Sequence, residues 1–402
     1  MNPGVSTGIV FHTNEVTMSV LPPERGRALL LLVLSQLPGV GPTRTNAIID
    51  RLGNDETLLD ADSRTLLDVP GIGGKLAGEI AALLGSAEWR RRSFKVANEQ
   101  LDLAERLHAI VLTIQDPRYP PLLREIYDPP PLLFVRGCPE ALSFPSVAVV
   151  GTRKASSYGK QATELFCRDL VLGGYAIVSG LAYGIDMTAH RSAVDNGGVT
   201  VAVLGCGVDT IYTDPAGRLW PKMVERGAIV SEEWIGCDPA PGNFPRRNRL
   251  ISGLATGTLI VESDIRGGSM ITAASAIEQN REVFAVPGSI FSRNSRGTNR
   301  LIQQCQAKPV QSADDIFAEL HPSGALDRRQ SRQEIPFPGA LEQEEALILD
   351  TLDQETLHID LIAEKSGLPV DTLLVRLFEL EMKGIVAQEP GQMFRIARKW
   401  TA

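Results

Sequence analysis

Six short apolar runs, rich in β-branched residues, recur between residues 109 and 320 and leave few folds open to this chain. They show almost no alternation of polar and apolar residues, which is typical of strands buried on both faces of a sheet. Each is followed, at once or after a few residues, by glycine and then by a helical segment. This pattern predicts an α/β fold, a Rossmann-like doubly wound and mostly parallel sheet over 109–320. The six runs are 147–150, 176–178, 200–204, 228–230, 259–261 and 283–286.

The stretch before this domain consists of short helical segments interrupted by glycine and proline. One turn occurs there in two near-copies, Leu37-Pro-Gly-Val-Gly41 and Val69-Pro-Gly-Ile-Gly73. Because glycine lets the backbone approach a phosphate and the N–H groups of the next helix point at it, the pair predicts an N-terminal helical domain of the helix-hairpin-helix type over 25–108. Such turns also build interaction modules that never contact DNA. Only three cations, Arg44, Arg51 and Lys75, lie near the turns, so both interpretations stay open.

The C-terminal part of the sequence has the pattern of a helix-turn-helix. A periodic apolar segment is followed by the turn Ser366-Gly-Leu-Pro369 and by a second periodic helix over 370–382. A predicted hairpin around Glu389-Pro-Gly391 then stands where a wing would. We predict a winged-helix domain over 341–402, a linker over 321–340 and a flexible tail over 1–24.

Charge and cysteine content exclude several classes of protein. The 402 residues carry 40 Lys+Arg and 48 Asp+Glu, a net charge of −8, so the chain is no polycation. Its five cysteines are widely spaced without a CxxC pair, which indicates free thiols in a reducing compartment and no cysteine-based metal site. The longest apolar run, 28–34, is too short for a bilayer, and residues 1–22 lack the features of a signal peptide. We expect a cytoplasmic protein with no membrane association and no metal.

The charge is unevenly distributed between the domains. Residues 241–300 hold eight arginines and four acidic residues, a net charge of +4. Residues 341–402 hold 12 acidic and 6 basic residues, a net charge of −6. The α/β domain is therefore the expected place for an anionic ligand.

The first strand-to-helix loop of the α/β domain is a candidate phosphate site. It carries Gly151, Thr152 and Arg153 ahead of a predicted helix N-terminus, where backbone N–H groups favour anions. The Gly-x-Gly-x-x-Gly spacing is absent, and the second strand does not end in an acidic residue, which disfavours NAD or FAD. A tight turn with surface cations is the alternative interpretation.

The second loop, Ser179-Gly-Leu-Ala-Tyr-Gly-Ile-Asp186, again places Ser179 and Gly180 at the end of a strand. Asp186 and His190 are spaced i,i+4 and could form an acid–base or metal pair. Since no third ligand accompanies them, helix capping by Asp186 and a structural His190 are the preferred interpretation.

The third segment, 243–254, is the most informative. It combines Phe244, on which a base could stack, with Asn248 and the arginines Arg246, Arg247 and Arg249, which could clamp phosphates ahead of an apolar helix. An amphipathic helix start with a solvated basic face is the alternative. Further on, Gly268 and Ser269 open another helix at 270–280.

Together these motifs resemble the DNA-processing protein A family (DprA, also called Smf). The resemblance rests on Gly151-Thr-Arg, Ser179-Gly-x-Ala-x-Gly-Ile-Asp186, Phe244-Pro-x-Arg-Asn-Arg-Leu-Ile, Gly267-Gly-Ser, Val286-Pro-Gly288 and Gly297-Thr-Asn, in one order over roughly 110–310. Two departures stand out: members often carry a lysine shortly before the aromatic, where this chain has Pro241-Gly-Asn243, and Cys305 replaces a usual glycine.

The resemblance implies a protein without cofactor or catalytic activity that binds incoming single-stranded DNA during natural transformation. It also implies a homodimer formed through the α/β domain and help in loading the recombinase RecA. The N-terminal unit, SAM-like or helix-hairpin-helix, and the C-terminal winged helix are similar to those of the longer members. The DNA contacts that the motifs and the resemblance together predict are Gly151, Thr152, Arg153, Ser179, Gly180, Phe244, Arg246, Arg247, Asn248, Arg249, Gly268 and Ser269.

Two other functions are compatible with this fold class but disfavoured by the motifs. Phosphoribohydrolases with a related fold cradle nucleotides at the same sheet edge, but their Pro-Gly-Gly-x-Gly-Thr loop and its catalytic glutamate have no counterpart here. A transcription factor would read DNA with helix 370–382, which carries Asp371, Glu379 and Glu381 against only Arg376 and Lys383 nearby. An acidic recognition helix repels phosphates, which disfavours this reading of the winged helix.

Overall fold

The computed structural model describes residues 22–320, 343–352, 356–383, 385–389 and 391–396. The whole of the predicted linker, and the predicted tail up to residue 21, lie outside these residues. The chain divides into two compact units, Met1–Ser323 and Gly324–Ala402. The domain boundaries at 24, 108, 320 and 340 stay predictions. None of the helices in the described ranges is both long and apolar enough to cross a membrane.

The N-terminal part of the first unit is helical. Both predicted glycine turns are present, with Gly39 and Gly71 in the left-handed region at φ +71° and +82°. The Arg44 guanidinium ties them together, since its Nε donates to the Gly71 carbonyl at 2.9 Å and its Nη1 to the Gly39 carbonyl at 2.6 Å. This arginine is therefore used within the protein. The helices are α1 Pro23–Leu34, α2 Pro42–Leu52, α3 Ser63–Leu67, α4 Gly74–Leu84 and α5 Ala87–Arg106.

Within the described residues, one nine-stranded sheet follows the helices, in the order β1-β2-β6-β5-β4-β3-β7-β8-β9. From β6 to β9 all neighbouring strands are parallel, whereas β1 and β2 add an antiparallel edge. This confirms the predicted fold class. The strands are β1 Ala109–Thr113, β2 Leu132–Gly137, β3 Ser146–Val150, β4 Ala176–Ser179, β5 Thr200–Val203, β6 Ala228–Ser231, β7 Gly257–Ile260, β8 Glu282–Ala285 and β9 Lys308–Pro309.

Helices cover both faces of the sheet. Successive side chains of β3 point to opposite faces, so Val147 and Val149 enter one core, with α7 and α8, while Ala148 and Val150 enter the other, with α10 and α11. Full burial on both sides explains why the parallel strands read as unbroken apolar runs. The helices of this domain are α6 Pro121–Arg124, α7 Ser157–Leu172, α8 Ile185–Asp195, α9 Trp220–Val224, α10 Asn243–Gly253, α11 Gly268–Glu278, α12 Arg296–Gln303 and α13 Ala313–Leu320.

The strand order reverses at β3. The chain runs outward from β3 through β4 and β5 to β6, and then returns to place β7 on the other side of β3. Loops leaving neighbouring strands at such a switch point diverge and open a crevice at the carboxyl edge of the sheet, where α/β proteins bind ligands. The loops after β3, β4 and β7 meet at this edge.

The second unit has the winged-helix arrangement predicted from sequence. Helix α15, Ile359–Ser366, is followed by Gly367, which has the left-handed φ of +68° that favours glycine at a helix C-terminus. Strands β11 and β12 form the antiparallel wing and pair in the order β10-β12-β11. The core includes Leu373, Leu377 and Leu380 of α16. The elements are α14 Gln343–Leu352, β10 Leu357–His358, α15 Ile359–Ser366, α16 Val370–Met382, β11 Val386–Glu389 and β12 Met393–Ile396.

Candidate nucleic-acid interface

The loop after β3 is held in place by Glu262, a carboxylate just beyond β7 that is 1% exposed. The Thr152 N–H donates to the Glu262 carbonyl at 2.8 Å. The Glu262 carboxylate accepts the Ser156 N–H at 3.0 Å and the Ser156 hydroxyl at 2.5 Å. These bonds fix the backbone on both sides of Arg153 and Lys154, whose side chains are exposed. This role of Glu262 has no signal in the local sequence.

The loop after β4 is organised by Asp186. Its carboxylate accepts the N–H groups of Gly180 at 3.2 Å and Ala182 at 3.4 Å. Burial raises the pKa of Asp186 to about 6, while the charge of Arg247 and the backbone hydrogen bonds act in the opposite direction. The prediction that Asp186 caps a helix was wrong, because Gly184 occupies the N-cap of α8 and the carboxylate binds the preceding loop instead.

His190 is structural, in agreement with the preferred interpretation. It is fully buried, and its Nδ1 lies 2.7 Å from the hydroxyl of Thr200. Since that hydroxyl donates to the Ile177 carbonyl at 2.8 Å, it accepts the proton of Nδ1. Burial lowers the pKa of His190 to about 3, so the ring is neutral.

Arg247 lies inside the protein. Its side chain is on the buried face of α10, and the residue is 4% exposed. Nη1 donates to the Gly180 carbonyl at 2.7 Å and to the Val203 carbonyl, so the guanidinium joins α10 to the ends of β4 and β5. A Cβ on Gly180 would lie 2.5 Å from Nη1, which explains the glycine there. The expectation that Arg247 clamps a phosphate from the surface is corrected: it supports the edge from beneath.

Arg249 is also engaged within the protein. It is ion-paired with Asp128 at 3.0 Å and with Glu232, and its side chain is 12% exposed. Of the three predicted clamps only Arg246 faces solvent, with 57% of its side chain exposed and Glu233 3.6 Å away. The three arginines also lie within α10, which begins at Asn243, rather than ahead of an apolar helix as predicted.

Phe244 lies half-buried at the start of α10, and two guanidinium groups lie close to its ring. The Arg153 guanidinium carbon is 5.3 Å from the ring centre, and that of Arg247 is 5.9 Å away. Both distances are within the range of cation–π attraction. The Tyr212 ring meets Phe244 edge-on, with centroids 6.2 Å apart and planes at 64°. Tyr212 carries no sequence signal that we recognised.

Three of the other predicted contact residues use their side chains within the protein, whereas Gly268 is accessible. The hydroxyl of Ser179 donates to the Val149 carbonyl at 2.6 Å, and that of Ser269 donates to the Ser263 hydroxyl at 2.8 Å. Both serines are buried, so their hydroxyls face the protein rather than a ligand. Asn248 donates to the Gly268 carbonyl at 3.3 Å and links α10 to the start of α11. A Cβ on Gly268 would meet open space, which leaves the N-terminus of α11 accessible.

Exposed cations come from four separate loops or helix starts at this edge. Arg293 is 80% exposed and bonded to Asp264 at 2.7 Å. The exposed cations of these segments include Arg153, Lys154, Arg246, Arg266, Arg293 and Arg296. They place positive charge along the edge of the sheet that also carries Phe244, an arrangement suited to a polyanion with bases.

Comparison with known proteins decides the family. The model of the DNA recombination-mediator protein A family matches residues 110–321, more than half of the chain. This chain belongs to that family. The model of the DprA winged helix domain matches residues 336–392 in addition.

Several DprA relatives cover most of the chain. It is 40% identical over 290 residues to protein Smf of Escherichia coli, covering 70% of this chain and 75% of the relative. Protein Smf of Synechocystis is 32% identical over 396 residues, covering 90% and 97%. The X-ray structure of DprA from Streptococcus pneumoniae superposes with a TM-score of 0.61 at 34% identity, covering 73% of this chain and 97% of that one.

One departure from the DprA pattern falls at a position where the backbone favours glycine. Cys305 follows α12 with φ +53°, a left-handed conformation in which glycine is favoured. A β-carbon in this conformation costs roughly 1 kcal/mol, so the family glycine suits the backbone better than the cysteine.

Proposed function

We propose that this protein binds single-stranded DNA along the carboxyl edge of the sheet. The observation that carries the proposal is the contact between Arg153 and Phe244. An exposed guanidinium and an aromatic face there lie within reach of one nucleotide. A base would stack on Phe244 while its phosphate pairs with Arg153, an arrangement that tolerates any base sequence.

The surrounding groups favour a strand over a free nucleotide. Arg246, Arg266, Arg293 and Arg296 are exposed around the same edge and could pair with successive phosphates. The open N-terminus of α11 at Gly268 supplies N–H groups for a further phosphate. Duplex DNA would hide the base faces from Phe244, so the edge favours unpaired strands.

The protein acts, in this proposal, as a mediator without catalytic activity that protects incoming DNA in the cytoplasm and helps to load RecA during natural transformation. The buried side chains of two glutamates at this edge, Glu262 and Glu232, are engaged within the protein, which favours a binding role. Both oxygens of Glu262 accept bonds from Ser156, and Glu232 is buried against Arg249. Neither glutamate is placed as the free base that a phosphoribohydrolase needs.

A homodimer through the α/β domain is part of the same proposal. Large apolar side chains are exposed on α11 and on the loop after β8, where Ile290 and Phe291 are 77% and 90% exposed. Ile271 and Ile277 of α11 are 42% and 41% exposed. A second copy would cover such side chains. Analytical ultracentrifugation of the unmodified chain and of Phe291→Ala tests this part. We expect the unmodified chain to sediment as a dimer and the variant to dissociate into monomers. An unmodified chain that sediments as a monomer would contradict the proposed dimer.

The mediator role is tested with RecA itself. RecA ATP hydrolysis is followed on single-stranded DNA already covered by single-strand-binding protein, with and without this chain. We expect the chain to shorten the lag, and Arg153→Ala to remove that effect. No change in the lag would contradict the RecA proposal while leaving DNA binding to be judged by affinity. Release of free base from nucleoside monophosphates would instead favour a phosphoribohydrolase.

A further inference from the structure

Tyr183 is an exposed aromatic residue that the motifs leave without a role. It occupies the loop after β4, and 54% of it is open to solvent. In the residues that the structure describes, Phe244 is the aromatic ring in contact with Arg153. We propose that Tyr183 is a second stacking platform, which takes a nucleobase next to the one on Phe244. This inference rests on the proposed binding of single-stranded DNA.

The position of Tyr183 is set by the next residue. Gly184 has φ +84°, and a Cβ there would lie 2.7 Å from the carbonyl carbon of Arg153. The N–H of Ile185 donates to the Thr152 carbonyl at 3.2 Å. The loop that carries Tyr183 is therefore packed directly against the backbone of Arg153, and the two residues belong to one surface.

The Tyr183 loop is also rigid on its other side. The Asp186 carboxylate accepts the Ala182 N–H at 3.4 Å and the Gly180 N–H at 3.2 Å. Arg247 bonds the Gly180 carbonyl from beneath at 2.7 Å. A ring on a loop held at both ends loses little conformational freedom when a base stacks on it, which favours binding.

Arg153 thus contacts two aromatic-bearing segments. Its guanidinium lies 5.3 Å from the Phe244 ring centre, and its backbone touches the loop of Tyr183. A phosphate on Arg153 connects two nucleotides, so the flanking bases reach towards the two rings. Aromatic platforms next to a backbone cation are the usual means of binding unpaired strands without sequence preference.

The experiment separates the contributions of the Tyr183 ring, of the Tyr183 hydroxyl and of the DNA bases. Affinities of the full chain for fluorescent oligo-dT and for an abasic strand of equal length are measured by anisotropy at one salt concentration. Tyr183→Ala should weaken binding to oligo-dT about 5- to 150-fold, the equivalent of ~1–3 kcal/mol for one stacked base. Tyr183→Phe should bind like the unmodified chain. Neither substitution should alter binding to the abasic strand.

The control is Tyr127→Ala, which removes a tyrosine that is 90% exposed. Its neighbour Ile126 packs against Gly253, the last residue of α10, and therefore away from the helix start that carries Phe244. This variant should bind oligo-dT normally. Thermal unfolding shows whether each variant is folded.

Three outcomes would overturn the assignment of Tyr183. Tyr183→Ala could bind oligo-dT as the unmodified chain does, Tyr183→Phe could be as weak as Tyr183→Ala, or the loss could be equal on the abasic strand. An unmodified chain that binds no single strand at all would instead contradict the proposed function, so the two failures are distinguishable.

Discussion

The guanidinium carbon of Arg153 lies 5.3 Å from the centre of the Phe244 ring, although Arg153 lies in the loop after β3 and Phe244 in the first turn of α10. The reversal of strand order at β3 places the two segments at one edge. Glu262 fixes the Arg153 loop, and Arg247 fixes the helix of Phe244. The recognition surface is thus held by two buried charged residues that do not face the ligand themselves.

Replacing Phe244 by alanine tests stacking. The loss of one base–aromatic contact should weaken binding to single-stranded DNA by ~1–3 kcal/mol. Because the ring is only half-buried, the melting temperature should change little. Affinity is measured by anisotropy and stability by calorimetry. A variant that unfolds at a much lower temperature would identify Phe244 as a core residue.

Replacing Arg247 by methionine should destabilise the fold rather than change the salt dependence of binding. The substitution leaves the Gly180 and Val203 carbonyls without their donor and removes the cation that favours ionised Asp186. We expect a loss of about 3 kcal/mol in urea unfolding. Adding Asp186→Asn should recover part of it. Unchanged stability with weakened DNA binding would show instead that Arg247 contacts the strand.

His190 makes the protein sensitive to acid. The pKa of His190 is about 3 in the folded protein, against an ordinary value of 6.5. Between these two values the unfolded chain binds a proton at His190 and the folded chain does not. The contribution of neutral His190 to the free energy of unfolding is fully present above pH 6.5 and is lost as the pH falls towards 3. Asp186, whose folded pKa is raised, opposes this trend between about pH 6 and 4. The comparison with a His190 variant cancels that contribution.

The variant His190→Asn retains a polar group near Nδ1 and cannot be protonated. Urea midpoints are compared at pH 7.5 and pH 5. The unmodified protein should lose more stability than the variant between these values. Equal losses in the two proteins would contradict a buried neutral His190.

Deleting residues 341–402 tests whether the winged helix reads DNA. The deletion removes 12 acidic and 6 basic residues, a net charge of −6. Since phosphates are repelled by this charge, affinity for single-stranded DNA at fixed salt should stay the same or rise slightly. A loss of most of the affinity would show that the winged helix binds the strand.

Much of the fold could be predicted because buried parallel strands leave an unambiguous signal. The run predicted at 147–150 differs by one residue from β3, and the run at 283–286 is offset by one from β8. Strands β1, β2 and β9 were missed. Strands β1 and β2 form the antiparallel edge, and each has partly exposed positions, so their runs are less uniform. Strand β9 is only two residues long, and both are exposed.

The site was harder to predict because sequence shows charge but not direction. Arg246 and Arg247 look equivalent as neighbours, yet one faces solvent and the other the core. Helical periodicity contained the answer: Arg247 is spaced i,i+3 and i,i+4 from the buried Leu250 and Ile251. No local pattern could show that Glu262 binds a loop over a hundred residues earlier, since that contact depends on the strand order.

The most direct test of the account is the salt dependence of single-strand binding by Arg153→Ala. Labelled oligo-dT and a duplex of equal length are titrated at several salt concentrations, with Arg226→Ala as the control on the opposite edge of the sheet, where Arg226 bonds the Gly197 carbonyl at 2.9 Å. We predict preference for the single strand and a slope of log affinity against log salt that is less steep by about 0.7 in Arg153→Ala alone. Equal affinity for the duplex, or an unchanged slope in Arg153→Ala, would contradict it.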